Sequence, residues 1–201
     1  MSSAPLVGVL AVQGDVVEHL RALEAVGART RLVRRPPEVA DLDGLIIPGG
    51  ESTVMDKLVR AFDLYAPLTD AIRRGLPVYG TCAGMIMLAD RLTDAASGQQ
   101  TLGGMDMTVR RNAFGRQVDS FETDLRIRAL GPQAVRAVFI RAPWVEDHGA
   151  GVEVLASVEH DHRSHPVVVR QGHLLATSFH PEVSGDRRFH SYFLEHLVRD
   201  R

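Results

Sequence analysis

The architecture is indicated most clearly by residues 77–89, which read Pro77-Val78-Tyr79-Gly80-Thr81-Cys82-Ala83-Gly84-Met85-Ile86-Met87-Leu88-Ala89. The apolar run 77–79 predicts a strand, and the run 85–89 predicts a helix. A nucleophilic side chain flanked by small residues at such a junction is typical of a tight, strained turn that projects from the top of a sheet. We therefore predict that Cys82, the only cysteine of the chain, is a nucleophile. The alternative is a packing role, because free cysteines are among the most buried residue types.

The first half of the chain alternates strand and helix patterns. A helix is predicted to follow Asp15 as its cap and to end at Gly27, and another is predicted to begin at Ser52. Short, continuous apolar runs predict buried strands at residues 6–12, 28–33, 45–47 and 77–79. Strands joined through helices imply right-handed βαβ units and a mainly parallel sheet.

The second half has short strand candidates with few helical patterns between them, which favours antiparallel or mixed pairing. Candidate strands lie at residues 105–110, 137–140, 152–158, 166–170 and 173–179, and a final helix is predicted at 187–199. Gln171-Gly172 predicts a tight hairpin, whereas segments 93–100 and 144–151 are predicted to be loops. We expect residues 1–201 to form a single flavodoxin-like α/β domain, a three-layer α/β/α sandwich with a mixed, mainly parallel central sheet.

Composition excludes several classes of function. A net charge of −2, with acids and bases interspersed, gives no reason to expect binding to nucleic acid or to anionic membranes. One cysteine excludes an internal disulfide framework and suits a reducing compartment. No apolar run approaches the ~20 residues that span a bilayer, and no signal-peptide pattern is present, so we expect a cytoplasmic protein.

A cysteine nucleophile needs a base, and the base needs an orienting carboxylate. Among nine histidines, His180 directly follows a strand candidate, and Pro181 restricts the local backbone. Glu182 lies two residues further on, where it can accept a hydrogen bond from the imidazole ring. A His-Pro-Glu run alone indicates an ordinary loop, but together with the Cys82 turn it predicts a Cys82–His180–Glu182 triad.

Acyl transfer also requires donors for the developing oxyanion. The backbone N–H of Ala83, directly after the nucleophile, is one expected donor. A second donor is expected from Pro48-Gly49-Gly50-Glu51-Ser52, which follows a parallel strand at the edge where ligands bind. This loop is alternatively a plain strand-to-helix turn. Phosphate binding is disfavoured because no glycine-rich phosphate motif is present.

Six separated motifs resemble those of class I (triad-type) glutamine amidotransferases, and in particular the glutaminase subunits of pyridoxal phosphate synthase. They are Leu10-Ala11-Val12-Gln13-Gly14, Pro48-Gly49-Gly50-Glu51-Ser52-Thr53, Gly80-Thr81-Cys82-Ala83-Gly84, Arg111-Asn112-Ala113-Phe114-Gly115-Arg116-Gln117, Phe139-Ile140-Arg141-Ala142-Pro143 and Ser178-Phe179-His180-Pro181-Glu182. The motifs cover nearly the whole chain in order, so the resemblance is specific.

The resemblance implies that the chain hydrolyses L-glutamine to L-glutamate and ammonia through Cys82, His180 and Glu182. It implies an oxyanion hole formed by the backbone of Gly50 and Ala83. The residues that it implies for glutamine binding are Gly50, Glu51, Ser52, Arg111, Ile140 and Arg141.

The resemblance also implies a partner. This is a synthase subunit with a (β/α)8 barrel, which forms a hetero-oligomer with the glutaminase and uses the ammonia to make pyridoxal 5'-phosphate (vitamin B6). The glutaminase itself is implied to need no cofactor and no metal, and to be poorly active until the synthase docks. Gln13, Gly14 and the helix that starts near Asp15 are our candidates for the activating contact.

Four alternatives stay open at this point. His160, His162 and His165 are dense enough to suggest a metal-binding protein. The second alternative is a non-catalytic binding module. The third is a cysteine peptidase or a stress protein of similar architecture. The fourth alternative is a glutaminase subunit of another class I amidotransferase, for example in histidine biosynthesis, from which the segment 111–115 points away.

Overall fold

The computed structural model describes residues 4–113 and 121–200. Within them the strands are β1 (Leu6–Leu10), β2 (Arg29–Val33), β3 (Gly44–Ile47), β4 (Val78–Thr81), β5 (Ala89–Thr93), β6 (Met105–Arg110), β7 (Phe121–Leu125), β8 (Val135–Phe139), β9 (Trp144–His148), β10 (Glu153–His160), β11 (Arg163–Gln171) and β12 (Leu174–Thr177). The α-helices are α1 (Val16–Ala25), α2 (Ser52–Ala61), α3 (Tyr65–Arg73), α4 (Ala83–Leu88) and α5 (Arg188–Phe193).

The central element is a seven-stranded sheet in the order β10-β11-β12-β4-β3-β1-β2. The five strands from β12 to β2 are parallel, whereas β10, β11 and β12 pair antiparallel. Helices α2, α3 and α4 pack on one face, and α1 and α5 pack on the other, each over its own apolar core. The predicted three-layer sandwich with a mixed, mainly parallel sheet is therefore confirmed.

The apolar pattern places the core correctly. The odd residues of β1, Val7 and Val9, face the core under α1 and α5, while Leu6 and Leu10 face the opposite core. This alternation is expected of a strand that is buried on both faces. The last helix continues from α5 as a π-helical turn, Leu194–Val198, and its apolar residues Phe189, Phe193, Leu194 and Leu197 are all buried.

Two small sheets were not expected from the sequence. One contains β5, β6 and β9, and the other contains β7 and β8. The loop predicted at 144–151 is wrong over Trp144–His148, which forms β9 against β6. Trp144 and Val145 are buried there, but the three polar residues that follow are exposed and gave the segment its loop-like composition. Likewise Thr93, assigned to a loop, is the last residue of β5.

Helix α3 was not predicted as separate from α2. The side-chain cap predicted for α1 is also wrong. Asp15 does occupy the position before α1, but its side chain makes no capping hydrogen bond. Gly27, with φ +87°, follows the end of α1 as expected. The predicted hairpin is confirmed, because Gln171 pairs with Leu174. No helix in the described part of the chain is long and apolar enough to cross a membrane.

Candidate active site

Cys82 lies on the turn between β4 and α4, as the strand–turn–helix prediction requires. Its φ of +47° falls in a region that side-chain-bearing residues rarely adopt, which costs about 1–3 kcal/mol of backbone strain. The backbone N–H of Cys82 donates to the carbonyl oxygen of Thr177 at 2.8 Å, so the turn is fastened to the end of β12. This strained backbone is stabilised by its neighbours and is the geometry expected for a nucleophile.

The glycines around Cys82 are required by close packing. A Cβ on Gly80 would overlap the backbone of Gly84. A Cβ on Gly84 would overlap the carbonyl oxygen of Ile47, at the end of β3. Helix α4 therefore rests directly on the ends of two strands, which brings its first turn to the edge of the sheet.

His180 and Glu182 follow β12, which lies beside β4 in parallel, so both strands end at the same edge of the sheet. Nδ1 of His180 lies 2.9 Å from Oε1 of Glu182, and Cys82 is close enough to His180 for its charge to raise the pKa of the imidazole. All three residues are buried. The structure thus brings Cys82 together with two residues that follow it about a hundred positions later in the sequence.

The electrostatics favour a protonated His180. Burial lowers its pKa, but the hydrogen bonds and charges of Cys82 and Glu182 outweigh burial and raise the pKa to about 11. Burial also raises the pKa of Glu182, against the opposing hydrogen bond from His180. With Nδ1 engaged by a carboxylate, Nε2 is the ring nitrogen left for the thiol. The arrangement can hold a thiolate beside an imidazolium, which is the reactive form of a cysteine nucleophile.

A second carboxylate at His180 was missed by sequence reasoning. Oδ2 of Asp15 lies 3.2 Å from Nδ1 of His180. The Asp15 side chain is 42% exposed, whereas that of Glu182 is fully inaccessible. Asp15, His180 and Glu182 also form the only group of three potential metal ligands among the described residues. The one available signal was the position of Asp15 just beyond a parallel strand.

Two buried histidines lie behind the site and were also missed. Nδ1 of His19 is 2.9 Å from Nε2 of His190, and Nε2 of His19 is 3.2 Å from the hydroxyl of Thr81. His19 Nε2 also lies 3.6 Å from Oε1 of Glu182. Burial lowers the pKa of both imidazoles, that of His190 to about 4, so both are neutral at pH 7.

A pocket of about 440 Å³ opens in front of Cys82 and His180. The residues that line it are Gln13, Asp15, Gly50, Glu51, Ser52, Cys82, Ile86, Arg111, Asn112, Ile140, Arg141 and His180. They include all six residues that the resemblance implied for glutamine binding. Ala83 and Glu182 do not line the pocket and are buried.

The charges in the pocket are of both signs. Glu51 accepts the backbone N–H groups of Thr53 and Val54 at 3.0 and 2.8 Å, which caps α2. Burial raises the pKa of Glu51, but those N–H groups and the nearby Arg111 outweigh burial, and the net pKa is lowered. Arg111 donates to Glu51 at 3.3 Å, and Arg141 adds a second guanidinium at the pocket wall.

The loop 48–52 is fastened to residues 13–15. The Glu51 N–H donates to Oε1 of Gln13 at 2.9 Å, and the Asp15 N–H donates to the carbonyl oxygen of Gly49 at 3.2 Å. The Gly49–Gly50 peptide bond is trans, so the N–H of Gly50 points opposite to the Gly49 carbonyl. Because that carbonyl faces Asp15, the N–H of Gly50 points away from Asp15. A Cβ at Gly49 would overlap the ring of His180, so only glycine fits there.

Two predictions from the sequence concern residues that do not belong to this pocket. Of the motif that begins at Arg111, the residues Phe114 to Gln117 lie outside the described residues. The geometry does not support a metal site at His160, His162 and His165. His160 and His165 instead pack on Trp144, with ring centroids 5.6 and 3.8 Å apart, and no group of three ligands forms there within the described ranges.

The fold and site define a class: an α/β protein with a cysteine on a strand-to-helix turn and a histidine–carboxylate pair at the next strand end. Comparison with known proteins then gives the particular family. The model of the SNO glutamine amidotransferase family matches residues 9–199, and the chain belongs to that family.

Similar proteins extend over the whole chain. The pyridoxal 5'-phosphate synthase subunit PdxT of Streptomyces avermitilis is 57% identical, over 99% of this chain and 97% of its own length. PdxT of Parafrankia sp. is 60% identical over 98% and 95%, and PdxT of Clavibacter michiganensis is 61% identical over 98% and 92%. A crystal structure of a glutamine amidotransferase is 46% identical, with a TM-score of 0.85 over 94% of this chain and 97% of that one.

Proposed function

We propose that this chain hydrolyses L-glutamine to L-glutamate and ammonia, and supplies the ammonia to the synthase subunit of a pyridoxal 5'-phosphate synthase. The observation that carries this proposal is the placement of Cys82 beside His180, whose Nδ1 is hydrogen-bonded to Glu182, in a pocket with charges of both signs. The high identity to proteins named PdxT supports the same assignment.

The pocket suits the zwitterionic end of glutamine. An α-amino acid presents one carboxylate and one ammonium group, and the pocket offers Arg111 and Arg141 for the first and Glu51 for the second. Guanidinium groups bind carboxylates through paired hydrogen bonds. Gly50, Ser52 and Ile140 complete the substrate-binding set in this proposal. A substrate held there would place its side-chain amide toward Cys82.

In the first half of the reaction, the Cys82 thiolate attacks the amide carbon of glutamine and forms a C–S bond. The N–H groups of Gly50 and Ala83 stabilise the resulting oxyanion. His180 donates its proton to the amide nitrogen, the C–N bond breaks, and ammonia leaves a glutamyl thioester.

In the second half, neutral His180 accepts a proton from water, and the water oxygen attacks the thioester carbon. The C–S bond then breaks, which releases glutamate and restores the thiolate–imidazolium pair. Glu182 keeps the His180 ring oriented through both halves by accepting a hydrogen bond from Nδ1–H. No step requires a metal or a cofactor.

The partner in this proposal is a synthase subunit with a (β/α)8 barrel, assembled with the glutaminase into a hetero-oligomer in the cytoplasm. The chain acts as one domain, residues 1–201. Gln13 lines the pocket and accepts the N–H of Glu51, and Gly14 packs closely against the carbonyl of Gly49, so both are suited to transmit docking of the partner to the oxyanion site.

A trapping experiment tests the chemistry. The chain is mixed with its synthase subunit and L-glutamine, quenched in acid during turnover, and examined by mass spectrometry. We expect a peptide that contains Cys82 and carries one glutamyl group. The Cys82→Ser variant serves as the control, and an equal adduct on that variant, or none on the wild type, would contradict covalent catalysis by Cys82.

A labelling experiment tests the destination of the ammonia. Glutamine carrying an isotopic label in its side-chain nitrogen is supplied together with unlabelled ammonia. We expect the label in pyridoxal 5'-phosphate at a higher fraction than in the free ammonia. Label found only in solution would favour a glutaminase of another pathway, such as histidine biosynthesis.

A further inference from the structure

The side chain of Gln99 connects two groups of the candidate glutamine pocket from outside it. Its Oε1 accepts a hydrogen bond from NH1 of Arg111 at 2.8 Å and one from the backbone N–H of Ala96 at 3.3 Å. Its Nε2 donates to the hydroxyl oxygen of Ser52 at 3.1 Å. Gln99 does not line the pocket, so its effect on a ligand passes through Arg111 and Ser52.

The orientation of the Gln99 amide follows from the chemistry of its partners. Arg111 and the Ala96 N–H are donors only, so they must face the carbonyl oxygen of the amide. The amide nitrogen then faces Ser52, whose oxygen accepts. The hydroxyl hydrogen of Ser52 is left to donate to another acceptor, and Ser52 is itself part of the pocket wall.

The backbone directly after Gln99 is hydrogen-bonded to residues of α2, α3 and α4. The Gln100 N–H donates to Oδ2 of Asp56 at 3.1 Å, and Asp56 is buried in α2. The hydroxyl of Tyr65 donates to the carbonyl oxygen of Thr101 at 3.1 Å. The Leu102 N–H donates to the carbonyl oxygen of Met87 at 2.8 Å. The segment that directly follows Gln99 is therefore held by three helices, although it has the composition of a surface loop.

Gln99 also restricts the orientation of the Arg111 guanidinium. One terminal nitrogen of the guanidinium is held by Gln99 and the other by Glu51. Two fixed nitrogens define the plane of the guanidinium, and its remaining N–H groups are available to a ligand. Without Gln99, Arg111 would have one polar partner instead of two and more rotamers to lose on binding.

We propose that Gln99 is a positioning residue for substrate, which holds Arg111 and Ser52 in the arrangement that binds the α-amino-acid end of glutamine. This inference rests on the proposed function, since that function assigns Arg111 and Ser52 to glutamine binding. The affected end of the substrate does not react, so Gln99 contributes equally to the ground state and the transition state. Its removal should raise KM and leave kcat unchanged.

The test is steady-state ammonia release from L-glutamine by the full chain with its synthase subunit. For Gln99→Leu we expect KM to rise about tenfold, the effect of losing a hydrogen bond to a charged group, with kcat within about twofold. The matched control is Gln100→Leu, the same change at the exposed neighbour, whose described bond to Asp56 comes from the backbone. We expect wild-type KM and kcat for this control.

A conservative variant separates a positioning role of Gln99 from a general role in maintaining the fold. Gln99→Glu keeps an acceptor for Arg111, and its KM should lie closer to wild type than that of Gln99→Leu. In an Arg111→Leu background, Gln99→Leu should raise KM by much less than tenfold, because the group that it positions is already absent. Gln99→Asn, which shortens the side chain by one methylene group, should raise KM as well, and it tests the same idea if the leucine variant folds poorly.

Unchanged KM in both Gln99→Leu and Gln99→Asn would overturn the proposal. A fall in kcat with constant KM would also overturn it, because Gln99 would then act on the reacting centre or on folding. The proposal would also be overturned if Gln99→Leu raised KM by the same factor in the wild type and in the Arg111→Leu background. Failure of the wild-type chain to release ammonia would contradict the proposed function instead, so the two failures are distinguishable.

Discussion

Oδ2 of Asp15 lies 3.2 Å from Nδ1 of His180. The ring nitrogen therefore has two carboxylates within reach, because Oε1 of Glu182 is 2.9 Å away. Glu182 is buried and follows His180 in the chain, whereas Asp15 is half-exposed and comes from the start of α1. The two carboxylates should therefore contribute unequally to catalysis.

We predict that Glu182→Gln lowers kcat by about 10²–10³-fold, and that Asp15→Asn lowers it less than tenfold. The buried carboxylate fixes the ring and stabilises its charge, while the exposed one acts through solvent-screened attraction. The double variant should fall below Glu182→Gln, because Asp15 then supplies the remaining carboxylate. The measurement is ammonia release with the synthase present.

Asp70→Asn is the control for this comparison. Asp70 is an exposed aspartate on α3 that pairs only loosely with Arg73, and it should behave as wild type. If Asp15→Asn were as damaging as Glu182→Gln, the assignment of Glu182 as the main orienting group would be wrong.

His180 should control the reactivity of Cys82. The pKa of His180 is raised from 6.5 to about 11, so the imidazole stays protonated at pH 6–8 and loses its charge only as the pH rises toward 11. A cation beside the sulfur favours the thiolate, which is the form that alkylating reagents attack. We predict that His180→Gln slows alkylation of Cys82 by iodoacetamide at pH 6.5 at least tenfold.

His162→Gln serves as the matched control for alkylation, since His162 is an exposed turn residue. Equal alkylation rates in wild type and His180→Gln at pH 6.5, with both proteins folded, would show that the imidazole does not activate the thiol.

The buried pair of His19 and His190 should destabilise the protein in acid. Burial lowers the pKa of His190 to about 4, against the opposing charge of Asp186, while the unfolded chain protonates near 6.5. The unfolded state therefore binds more protons between these pH values, and the free energy of unfolding should fall as pH drops from 6.5 to 4. One such shift corresponds to about 3 kcal/mol over that range.

Urea unfolding at pH 7.5 and pH 4.5 measures this effect, with His190→Asn compared with wild type. The variant should lose less stability than wild type between the two pH values. His162→Asn is the control, because its φ of +59° suits asparagine, and it should keep the wild-type slope. Parallel slopes for wild type and His190→Asn would contradict a buried neutral His190.

Gly84→Ala should destabilise the turn under Cys82 by about 1–3 kcal/mol, because the added Cβ overlaps a strand carbonyl that has no room to move. Thermal or urea unfolding measures the loss. Gly151→Ala is the matched control, since the nearest atom to its added Cβ is 4.0 Å away, and it should stay within about 0.5 kcal/mol of wild type. Equal stability of the two variants would show that α4 can shift off the strand ends.

The features that were predicted correctly from the sequence are those that depend on residues close together in the chain. The strand–turn–helix at Cys82 and the βαβ segments have local apolar periodicity, and the strand that precedes His180 places it at the same sheet edge as Cys82. In the two small sheets, β6 and most of β8 were predicted as strands, whereas β5, β7 and β9 were missed because they are short and partly polar.

The supporting contacts of the site had no local signal. Gln99 meets Ser52 and Arg111 across 47 and 12 residues, and His19 meets His190 across 171. Nothing in the sequence around Asp15 distinguishes a helix cap from a partner of His180. Such contacts depend on how distant elements pack, which only the folded chain determines.

The most direct test of the account is ammonia release from L-glutamine by the chain with its synthase subunit, for wild type and for Cys82→Ser. We predict that the wild type releases ammonia at least about 10³-fold faster than the serine variant, and that omission of the synthase lowers the wild-type rate. Equal release by the two proteins in the complex would contradict the central claim that Cys82 is the nucleophile of a glutaminase.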